Sequence, residues 1–474
     1  MTTDSSTPPQ TGYAPAPAAS APTVTAAIRH GDLDKKGGVP RRKTNLVILG
    51  GSMIADGGEG SMATTLFPVI AAALGLATSA LGILAAVGRI VGVVAGPAWV
   101  FLSKKIGRRW VLAIATGFWG VWGVAAGLAQ DFTQLLVLYG IMAAGTAAAH
   151  VLVPEVIGDS FEDKKRGRVV GWVYGGTAAV SSLMAPLIGS LANIEDGWRY
   201  GFFFFGALNV VFGLLILAFY KDPGTGGGEE QLKTFSKEER EAASKITWAK
   251  VRKLLTIRSY LILLVSRLLS SHMLLAVFGV TMLVQEFGFD VALAATVMAP
   301  FGIGFLVGNV SGGLLSDWLN KVSVNYGRIA MLQGAQLLFA VFAYFTTQVV
   351  YDGIMPYLIL FGLCGLAQGF NPAVNRPLVM AIVPPELRGA AFAIFVSIIE
   401  SIGFAIYSVV GGALAATIGL QGVMLWIVCG VMVVNAVWLS LLYRPFKKDR
   451  LALEADLDAR RAHILDAEAH GQAI

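Results

Sequence analysis

Charged residues are scarce in this chain: they make up 14% of its 474 residues, whereas a typical soluble domain has about a quarter. Hydrophobic residues make up 55%, and the charges fall in clusters separated by apolar stretches of 20 or more residues. A helix needs about 20 apolar residues to cross the hydrocarbon core of a bilayer. The shortage of charge therefore argues against a soluble protein and predicts an integral membrane protein that contacts the lipid bilayer.

Several signatures of chemistry are also missing. The two cysteines, Cys364 and Cys429, both lie inside apolar runs, where buried packing is expected rather than a disulfide or a metal ligand pair. The glycine-rich segment that begins at Gly224 lacks the lysine of a phosphate-binding loop, and no zinc-protease or serine-hydrolase pattern occurs. We therefore predict neither an enzyme nor an ATP-driven pump, with no metal and no cofactor. The net charge of +6 is interpreted as basic cytoplasmic loops rather than as a nucleic-acid surface.

Twelve apolar stretches, six on either side of a polar linker, predict an all-α integral membrane protein with twelve transmembrane helices in two pseudo-symmetric six-helix bundles. The predicted spans lie at about 45–73, 77–103, 110–129, 134–157, 169–191, 200–220, 259–285, 291–315, 328–347, 355–382, 389–417 and 421–443. The predicted divisions are a disordered cytoplasmic N-terminal tail at 1–43, a first bundle at 44–220, a cytoplasmic linker at 221–258, a second bundle at 259–443 and a cytoplasmic C-terminal tail at 444–474.

The distribution of lysine and arginine predicts the orientation. If both termini are cytoplasmic, 32 of the 36 basic residues lie on the inner side, and Arg199 alone lies in an outer loop. The remaining three, Arg89, Arg267 and Arg376, fall within spans. Because cytoplasmic loops carry the excess of basic residues, we expect a multi-pass protein of the cell membrane with both termini in the cytoplasm.

The two halves also share a motif. The loop after the eighth span contains Gly313-Leu-Leu-Ser-Asp317 followed by Gly327-Arg328. The loop after the second span, residues 100–109, keeps the basic glycine-containing turn but has Val100 and Lys104 in place of the glycine and aspartate. Both loops resemble the signature of the major facilitator superfamily of secondary transporters. The resemblance implies the major facilitator fold, a binding site between the halves near the bilayer midplane, and alternating access by rocking of the halves.

Four further segments look most like a Spinster-like branch of that superfamily. They are Ile54-Ala-Asp56-Gly-Gly-Glu59, Gly197-Trp198-Arg199, Lys221-Asp222-Pro223 and the stretch from Asn375-Arg376-Pro377 to Glu386. Some Spinster relatives move lysolipids or sphingoid lipids, which the resemblance makes one candidate class of substrate.

Ionisable residues inside a span are expensive and normally face a cavity or a partner. Asp56 and Glu59 lie one helical turn apart in the first span, and Arg89 is expected at a similar depth in the second. One interpretation is a proton-coupling site, because two neighbouring carboxyl groups in a low dielectric favour a protonated form. The alternative is a permanent buried ion pair that holds the two spans together.

Further polar residues fall in spans that line the central cavity in the resembling family, or in the eleventh span. Each histidine has packing as its alternative, and Glu400 is expected to pair with Arg267 or Arg376. The substrate-binding candidates are His150, Arg267, His272, Asn371, Asn375, Arg376 and Glu400.

Charged residues at the inner ends of the spans predict an inner gate of weak salt bridges, which suits a contact that must open. The alternative is a solvated loop without a role in gating. The gate candidates are Arg108, Arg109, Glu155, Asp159, Arg166, Arg168, Asp317, Arg328 and Arg388.

These residues together predict a secondary active transporter, expected to act as a monomer and to be coupled to protons. The arginines and histidines within the spans favour a small organic anion or zwitterion as solute. The apolar cavity faces and the Spinster-like segments favour an amphipathic lipid or drug exporter. A sensor or lipid scramblase on the same fold is the competing class of function, and the direction of transport is left open.

Overall fold

The computed structural model describes residues 41–161, 163–223 and 252–469, and over these ranges the chain forms helices and no strand. The predicted N-terminal tail, apart from its last residues, and the linker from 224 to 251 lie outside the described residues. The first half consists of α1 (Arg42–Thr65, continued by Phe67–Leu74), α2 (Ser79–Ile106), α3 (Arg108–Gly127), α4 (Phe132–Ser160), α5 (Asp163–Ser190) and α6 (Gly197–Phe219). The second half consists of α7 (Arg258–Phe287), α8 (Val291–Val322), α9 (Gly327–Gln348), α10 (Ile354–Ile382), α11 (388–418) and α12 (420–442), and α13 (Tyr443–Ala469) follows.

The twelve predicted spans correspond to α1 to α12. Ten helical stretches of the described chain are long and apolar enough to cross a membrane. One of them, Arg388–Ala459, contains both α11 and α12. Gly419, with a φ of 70° and a ψ of 166°, kinks this stretch and divides the two helices. Helix α1 is not among the ten, since Asp56, Glu59 and several glycines interrupt its apolar character. The predicted all-α fold of two six-helix halves is confirmed.

Because successive helices alternate in direction, one end of the bundle carries the first residues of α1 and the basic loops after α2 and α8. We call this end the basic side and the other the opposite side. Helix packing depends on residues without a side chain: a Cβ on Gly304 would lie 2.0 Å from the carbonyl oxygen of Gly362, and one on Gly308 would lie 2.1 Å from that of Leu366. Helices α8 and α10 therefore approach backbone to backbone, the usual means of tight association in lipid.

Three apolar cores show how the halves meet. The first contains residues of both halves, such as Met62 and Phe202 from one and Phe278 and Phe361 from the other. The second is built from α7, α9 to α13 and the connections between them, and the third from the first half alone. The shared core occupies the opposite side and the two separate cores occupy the basic side. The halves are therefore closed together on the opposite side and separated by a cleft on the basic side.

Close contacts on the opposite side agree with this closure. A Cβ on Gly82 of α2 would lie 2.1 Å from the carbonyl oxygen of Ser408 in α11, and one on Gly189 of α5 would lie 2.7 Å from the side chain of Ala295 in α8. In addition, the Thr78 hydroxyl donates to Gln285 Oε1 across 3.3 Å.

The C-terminal tail begins as a helix that packs under the second half. Phe446 of α13 is 2% exposed and belongs to the core of that half, and Leu453 is 7% exposed. Asp449 Oδ2 accepts a hydrogen bond of 2.8 Å from the backbone N–H of Ser259, at the start of α7. A carboxylate at a helix N-terminus satisfies a free N–H group and complements the helix dipole. Helix α13 therefore stabilises the basic end of α7.

Candidate functional site

Irregular backbone marks two helices at the junction of the halves. Helix α7 is interrupted after Leu268 and resumes through a 3-10 turn at Ser271–Met273. Helix α11 contains a π-helical segment, Ala393–Ile399, directly before Glu400. Both departures cost regular hydrogen bonds, and inside membranes they are tolerated where backbone is buried in protein or lines a cavity. The interruptions lie next to the charged residues Arg267 and Glu400.

A three-residue charge cluster joins the halves at this junction. Arg89 Nη2 of α2 lies 3.3 Å from Glu400 Oε1 of α11. The other carboxylate oxygen, Oε2, accepts from Arg267 Nε of α7 at 3.1 Å and pairs with Arg267 Nη2 as well. Each oxygen of Glu400 therefore binds a different arginine, one from each half of the chain. Of the two partners expected for Glu400, Arg267 and Arg376, it is Arg267 that forms the pair, and Arg89 forms a second pair that was not expected.

Neighbouring side chains hold the two guanidinium groups in place. Arg89 Nε donates to the Ser401 hydroxyl at 3.2 Å, and its guanidinium lies 5.6 Å from the ring centroid of Phe404. The guanidinium of Arg267 lies 5.7 Å from the ring centroid of Phe395. Cation–π contacts of this kind stabilise a charge that is partly removed from water.

The cluster carries an excess of positive charge, because two arginines that stay protonated share one carboxylate. His272 is 3% exposed, packs edge-on against Phe339 at 6.0 Å, and lies within electrostatic reach of both arginines. His272 Nδ1 has no hydrogen-bond partner among the described residues. His150 of α4 is exposed and lies within electrostatic reach of Arg89. The site therefore combines fixed cations with polar groups that face both the interior and the cleft.

The acidic pair of α1 lies elsewhere, inside the first half. Glu59 is 2% exposed, and its Oε2 accepts a hydrogen bond of 2.7 Å from Asn209 Nδ2 of α6. Glu59 Oε1 packs against Gly123 of α3, at a place that a Cβ would fill, and has no hydrogen-bond partner among the described residues. Asp56 is 8% exposed and close enough to Glu59 for their charges to interact. No described cation lies within ion-pair distance of either carboxyl group.

The expected pair between Arg89 and the acids of α1 is therefore not formed. The expectation considered only the depth of Arg89 and of the two acids along their helices, and their side chains point in different directions. Arg89 lies two turns from Gly82, which packs against α11, so Arg89 points to the second half. Glu59 points to α3 and α6 instead.

The predicted residues of α10 divide into two groups. Asn371 is 1% exposed and its Oδ1 accepts from Gln336 Nε2 of α9 at 2.7 Å, so this side chain joins two helices of the second half. Asn375 is 7% exposed. Arg376 is exposed and lies within electrostatic reach of Tyr174 on α5, across the boundary between the halves. Arg376 thus belongs to the cleft, whereas Asn371 belongs to the packing of its own half.

The gate candidates of the first half form a network within that half. Arg108 of α3 is 8% exposed at its side chain and pairs with Asp159, with Asp222 at 2.9 Å and with Glu155 at 3.8 Å. Arg109 donates to the carbonyl oxygen of Leu217. Close by, burial and the neighbouring acids raise the pKa of Tyr220, which directly follows the last residue of α6. This network ties α3, α4 and the end of α6 together.

The gate candidates of the second half also make their described contacts within their own half. Arg328 lies 3.2 Å from Asp317, which is 73% exposed. Arg388 donates to the backbone carbonyl oxygens of Val383 and Met380 at 3.3 and 3.0 Å. Arg166 and Arg168 lie on α5, and their side chains are outside the described part of the structure. The expected gate between the halves is thus not closed among the described residues, in agreement with a cleft that is open on the basic side.

Several residues of these sites were not predicted from the sequence. Asn209 is the one polar side chain in the middle of the apolar run of α6, and this isolation is a usable signal for a buried partner. Asp222 was noted only as part of the Lys221-Asp222-Pro223 segment. Ser401, Phe404 and Tyr174 carry no such signal, because serines and aromatics are common in membrane helices.

The fold and the cleft together define a class of protein. Two six-helix halves closed on one side, open on the other, and joined at mid-depth by a charge cluster form the architecture of an alternating-access membrane transporter.

Comparisons with known proteins agree with this class. The sequence profile of the Major Facilitator Superfamily matches residues 48–351 and 319–467. A probable 4-methylmuconolactone transporter of Cupriavidus pinatubonensis is 23% identical over 394 residues, which cover 82% of this chain and 87% of that protein. Protein spinster of Drosophila melanogaster is 26% identical over 149 residues, which cover 31% of this chain and 24% of that protein.

Solved structures support the same fold. A bacterial homolog to the human lysosomal transporter Spinster, in an inward-facing and unoccupied conformation, matches with a TM-score of 0.69 at 18% identity, covering 88% of this chain and 98% of that one. A D-xylose-proton symporter matches with a TM-score of 0.66 at 16% identity, covering 85% and 98%. The chain belongs to the Major Facilitator Superfamily. Over 149 residues its sequence is similar to protein spinster, and its fold is that of the bacterial Spinster homolog. It is a multi-pass membrane transporter and not an enzyme.

Proposed function

We propose that this transporter moves a small organic anion across the membrane by alternating access, coupled to protons. The observation that carries the proposal is the cluster of Arg89, Glu400 and Arg267 at the junction of the halves. Its excess positive charge lies at the closed end of a cleft, where a charged group is retained only if it serves a pathway or a partner. An anion that enters the cleft would meet two guanidinium groups in partly desolvated surroundings.

Other residues extend the proposed anion site toward the cleft. His150 and Arg376 are exposed, and Arg376 faces Tyr174 of the other half. His272 and Asn375 are proposed as inner neighbours, and Asn371 as their support. A carboxylate is well matched to arginine, which binds it through two parallel hydrogen bonds.

The names of two further relatives point to the same chemistry. A probable L-galactonate transporter of Escherichia coli is 28% identical over 138 residues, and a probable galactarate/D-glucarate transporter of that species is 24% identical over 260 residues. Both names refer to sugar-acid anions. We infer a carboxylate-bearing solute for this chain, without choosing among such acids.

Proton coupling is proposed for Asp56 and Glu59. Two carboxyl groups one turn apart, buried and without a described cation, cannot both be charged at low cost. We infer that the pair holds at least one proton and exchanges it as the first half moves. Arg89, which was expected to act with them, is assigned to the anion site instead.

We propose that the basic side faces the cytoplasm, as the distribution of lysine and arginine predicts. The protein would then lie in the cell membrane with both termini in the cytoplasm, and the present conformation would face inward. The chain contributes both walls of its cleft, so a monomer would suffice. In the outward-facing state the gate residues, among them Glu155 and Arg328, would come together across the closed basic side.

A second candidate, export of lysolipids or drugs, is favoured by the similarity to protein spinster over 149 residues. Purified protein in proteoliposomes would separate the two candidates. L-galactonate, D-glucarate, lysophosphatidylglycerol and the uncharged polyol galactitol would be offered with and without a proton gradient. We expect gradient-dependent uptake of a carboxylate and none of galactitol. Movement of the lysolipid alone would support the exporter and contradict an anion as solute.

A further inference from the structure

We propose that Glu400 is a specificity-determining residue that acts as a tethered competitor of the transported anion. The proposal rests on the proposed function, since it concerns how an anion gains access to the arginines. In the present conformation Glu400 Oε1 lies 3.3 Å from Arg89 Nη2, one of the nitrogens with which a solute carboxylate would form its paired hydrogen bonds.

The geometry determines which of the two ion pairs a solute would open. The side chain of Arg89 is 35% exposed, whereas those of Arg267 and Glu400 are 13% and 11% exposed. A solute arriving through the cleft therefore reaches Arg89 first. Glu400 also binds Arg267 through two nitrogens of one guanidinium, but it binds Arg89 at 3.3 Å through one. The contact with Arg89 is the weaker and the more accessible of the two.

Displacement from Arg89 leaves no buried charge without a partner. Glu400 keeps Arg267, and the solute carboxylate takes Arg89, so two anions then balance two cations. Ser401 and Phe404 retain the guanidinium of Arg89 during the exchange. Among the described residues, His150 and His272 also lie within electrostatic reach of the arginines. The exchange also replaces a direct link between the halves with a link made through the solute.

This arrangement explains why a transporter for anions would keep a carboxylate inside its anion site. Glu400 sets a threshold for binding. A solute must carry a carboxylate that binds Arg89 at least as strongly as Glu400 does, and a neutral polyol cannot displace Glu400. The same competition prevents the solute from binding two free arginines so tightly that release becomes slow.

Glu400→Gln tests the proposal, because glutamine keeps the shape and an acceptor for Arg267 but removes the competing charge. Binding of L-galactonate and of D-glucarate would be measured by calorimetry on the detergent-purified full chain, with galactitol as the neutral probe. We expect about tenfold tighter carboxylate binding in E400Q, the size expected when one close ion pair no longer competes. Galactitol should gain nothing, and net transport should slow.

Two further variants separate competition from a change in folding. Glu400→Asp restores a charge at the same position and should bring affinity back toward that of the wild type. Asp352→Asn removes a carboxylate on an exposed connection of the opposite side and should leave binding unchanged.

The outcomes distinguish this inference from the proposed function. Carboxylate binding by the wild type with equal or weaker binding by E400Q would overturn the role of Glu400 and leave the proposed function standing. Carboxylate binding by E400Q alone would support the inference, because it shows that the arginines bind anions once freed. If neither the wild type nor E400Q binds either carboxylate, both the inference and the proposed function are wrong.

Discussion

Two groups of ionisable residues are removed from water in this chain, and they have opposite charge: one is acidic and the other has an excess of cations. Asp56 and Glu59 lie inside the first half, with an amide from Asn209 and no described cation. Arg89, Glu400 and Arg267 lie between the halves, with two cations for one carboxylate. A buried charge is tolerated when it is neutralised or paired. The first group can be neutralised by protons and the second by an anion, so the two regions are suited to the two species of a coupled transporter.

The largest effect is expected from Arg89→Gln, which removes the cation that the cleft exposes. Carboxylate binding should weaken by about 100-fold, because losing one partner of a desolvated charge pair typically costs about 2–5 kcal/mol. Isothermal calorimetry with the preferred carboxylate would measure it. Arg89→Lys keeps the charge without the two-pronged geometry and should recover part of the loss. Unchanged affinity in R89Q would mean that the anion binds elsewhere.

The second largest effect is expected from Asp56→Asn, which would sharpen the comparison between the two groups. Asparagine cannot exchange a proton, so proton-driven accumulation should fall by about tenfold or more, within the usual range for coupled sites. Solute counterflow without a gradient should remain, since the anion site is intact. Uptake in proteoliposomes with and without an imposed proton gradient measures both. An equal loss of the two activities would remove the proton role from Asp56.

A stability effect is expected from Asn209→Ala, which deletes the hydrogen-bond donor of Glu59. The buried carboxyl group would lose its described partner, at a cost of about 1–3 kcal/mol. Thermal unfolding of the purified protein should then occur at a lower temperature. Asn209→Ala combined with Glu59→Leu should restore part of the loss. If the single variant unfolds like the wild type, Asn209 does not stabilise the acidic pair.

The basic-side networks give a last comparison, in the free energy of unfolding rather than in transport, and here the two halves again differ. Arg108 is 8% exposed beside three acids, so Arg108→Ala should lower the free energy of unfolding by about 3 kcal/mol. Asp317, the partner of Arg328, is 73% exposed, so Arg328→Ala should cost no more than about 1 kcal/mol. Denaturant unfolding of the two variants side by side would check the order, and a reversed order would contradict the burial argument.

Much of the fold could be predicted because the signals are long and repetitive. Apolar stretches, the clusters of basic residues and the motif shared by the two halves all follow from the bilayer as solvent. Depth along the spans narrowed the partner of Glu400 to Arg267 or Arg376, and the structure pairs it with Arg267; depth did not indicate the second pair with Arg89.

The orientation of side chains could not be predicted in the same way. Arg89 and Asp56 lie at similar depth, yet which face of each helix meets which neighbour depends on close glycine contacts such as Gly82 with Ser408. Sequence spacing does not reveal those contacts. The breaks in α7 and α11 beside Arg267 and Glu400 were missed for a related reason, since neither break contains a proline or a glycine that would indicate it.

The most direct test of the account is the accessibility of position 150, on the cleft wall beside Arg89. His150→Cys would be made in a chain whose Cys364 and Cys429 are replaced by alanine, and labelled with a membrane-impermeant maleimide. In the present conformation the account predicts labelling from the side that carries the termini. A carboxylate solute at ten times its Kd should slow labelling by about tenfold, by mass action. Labelling that is absent from that side, or that proceeds at the same rate with the solute bound, would contradict an anion site at the junction of the halves.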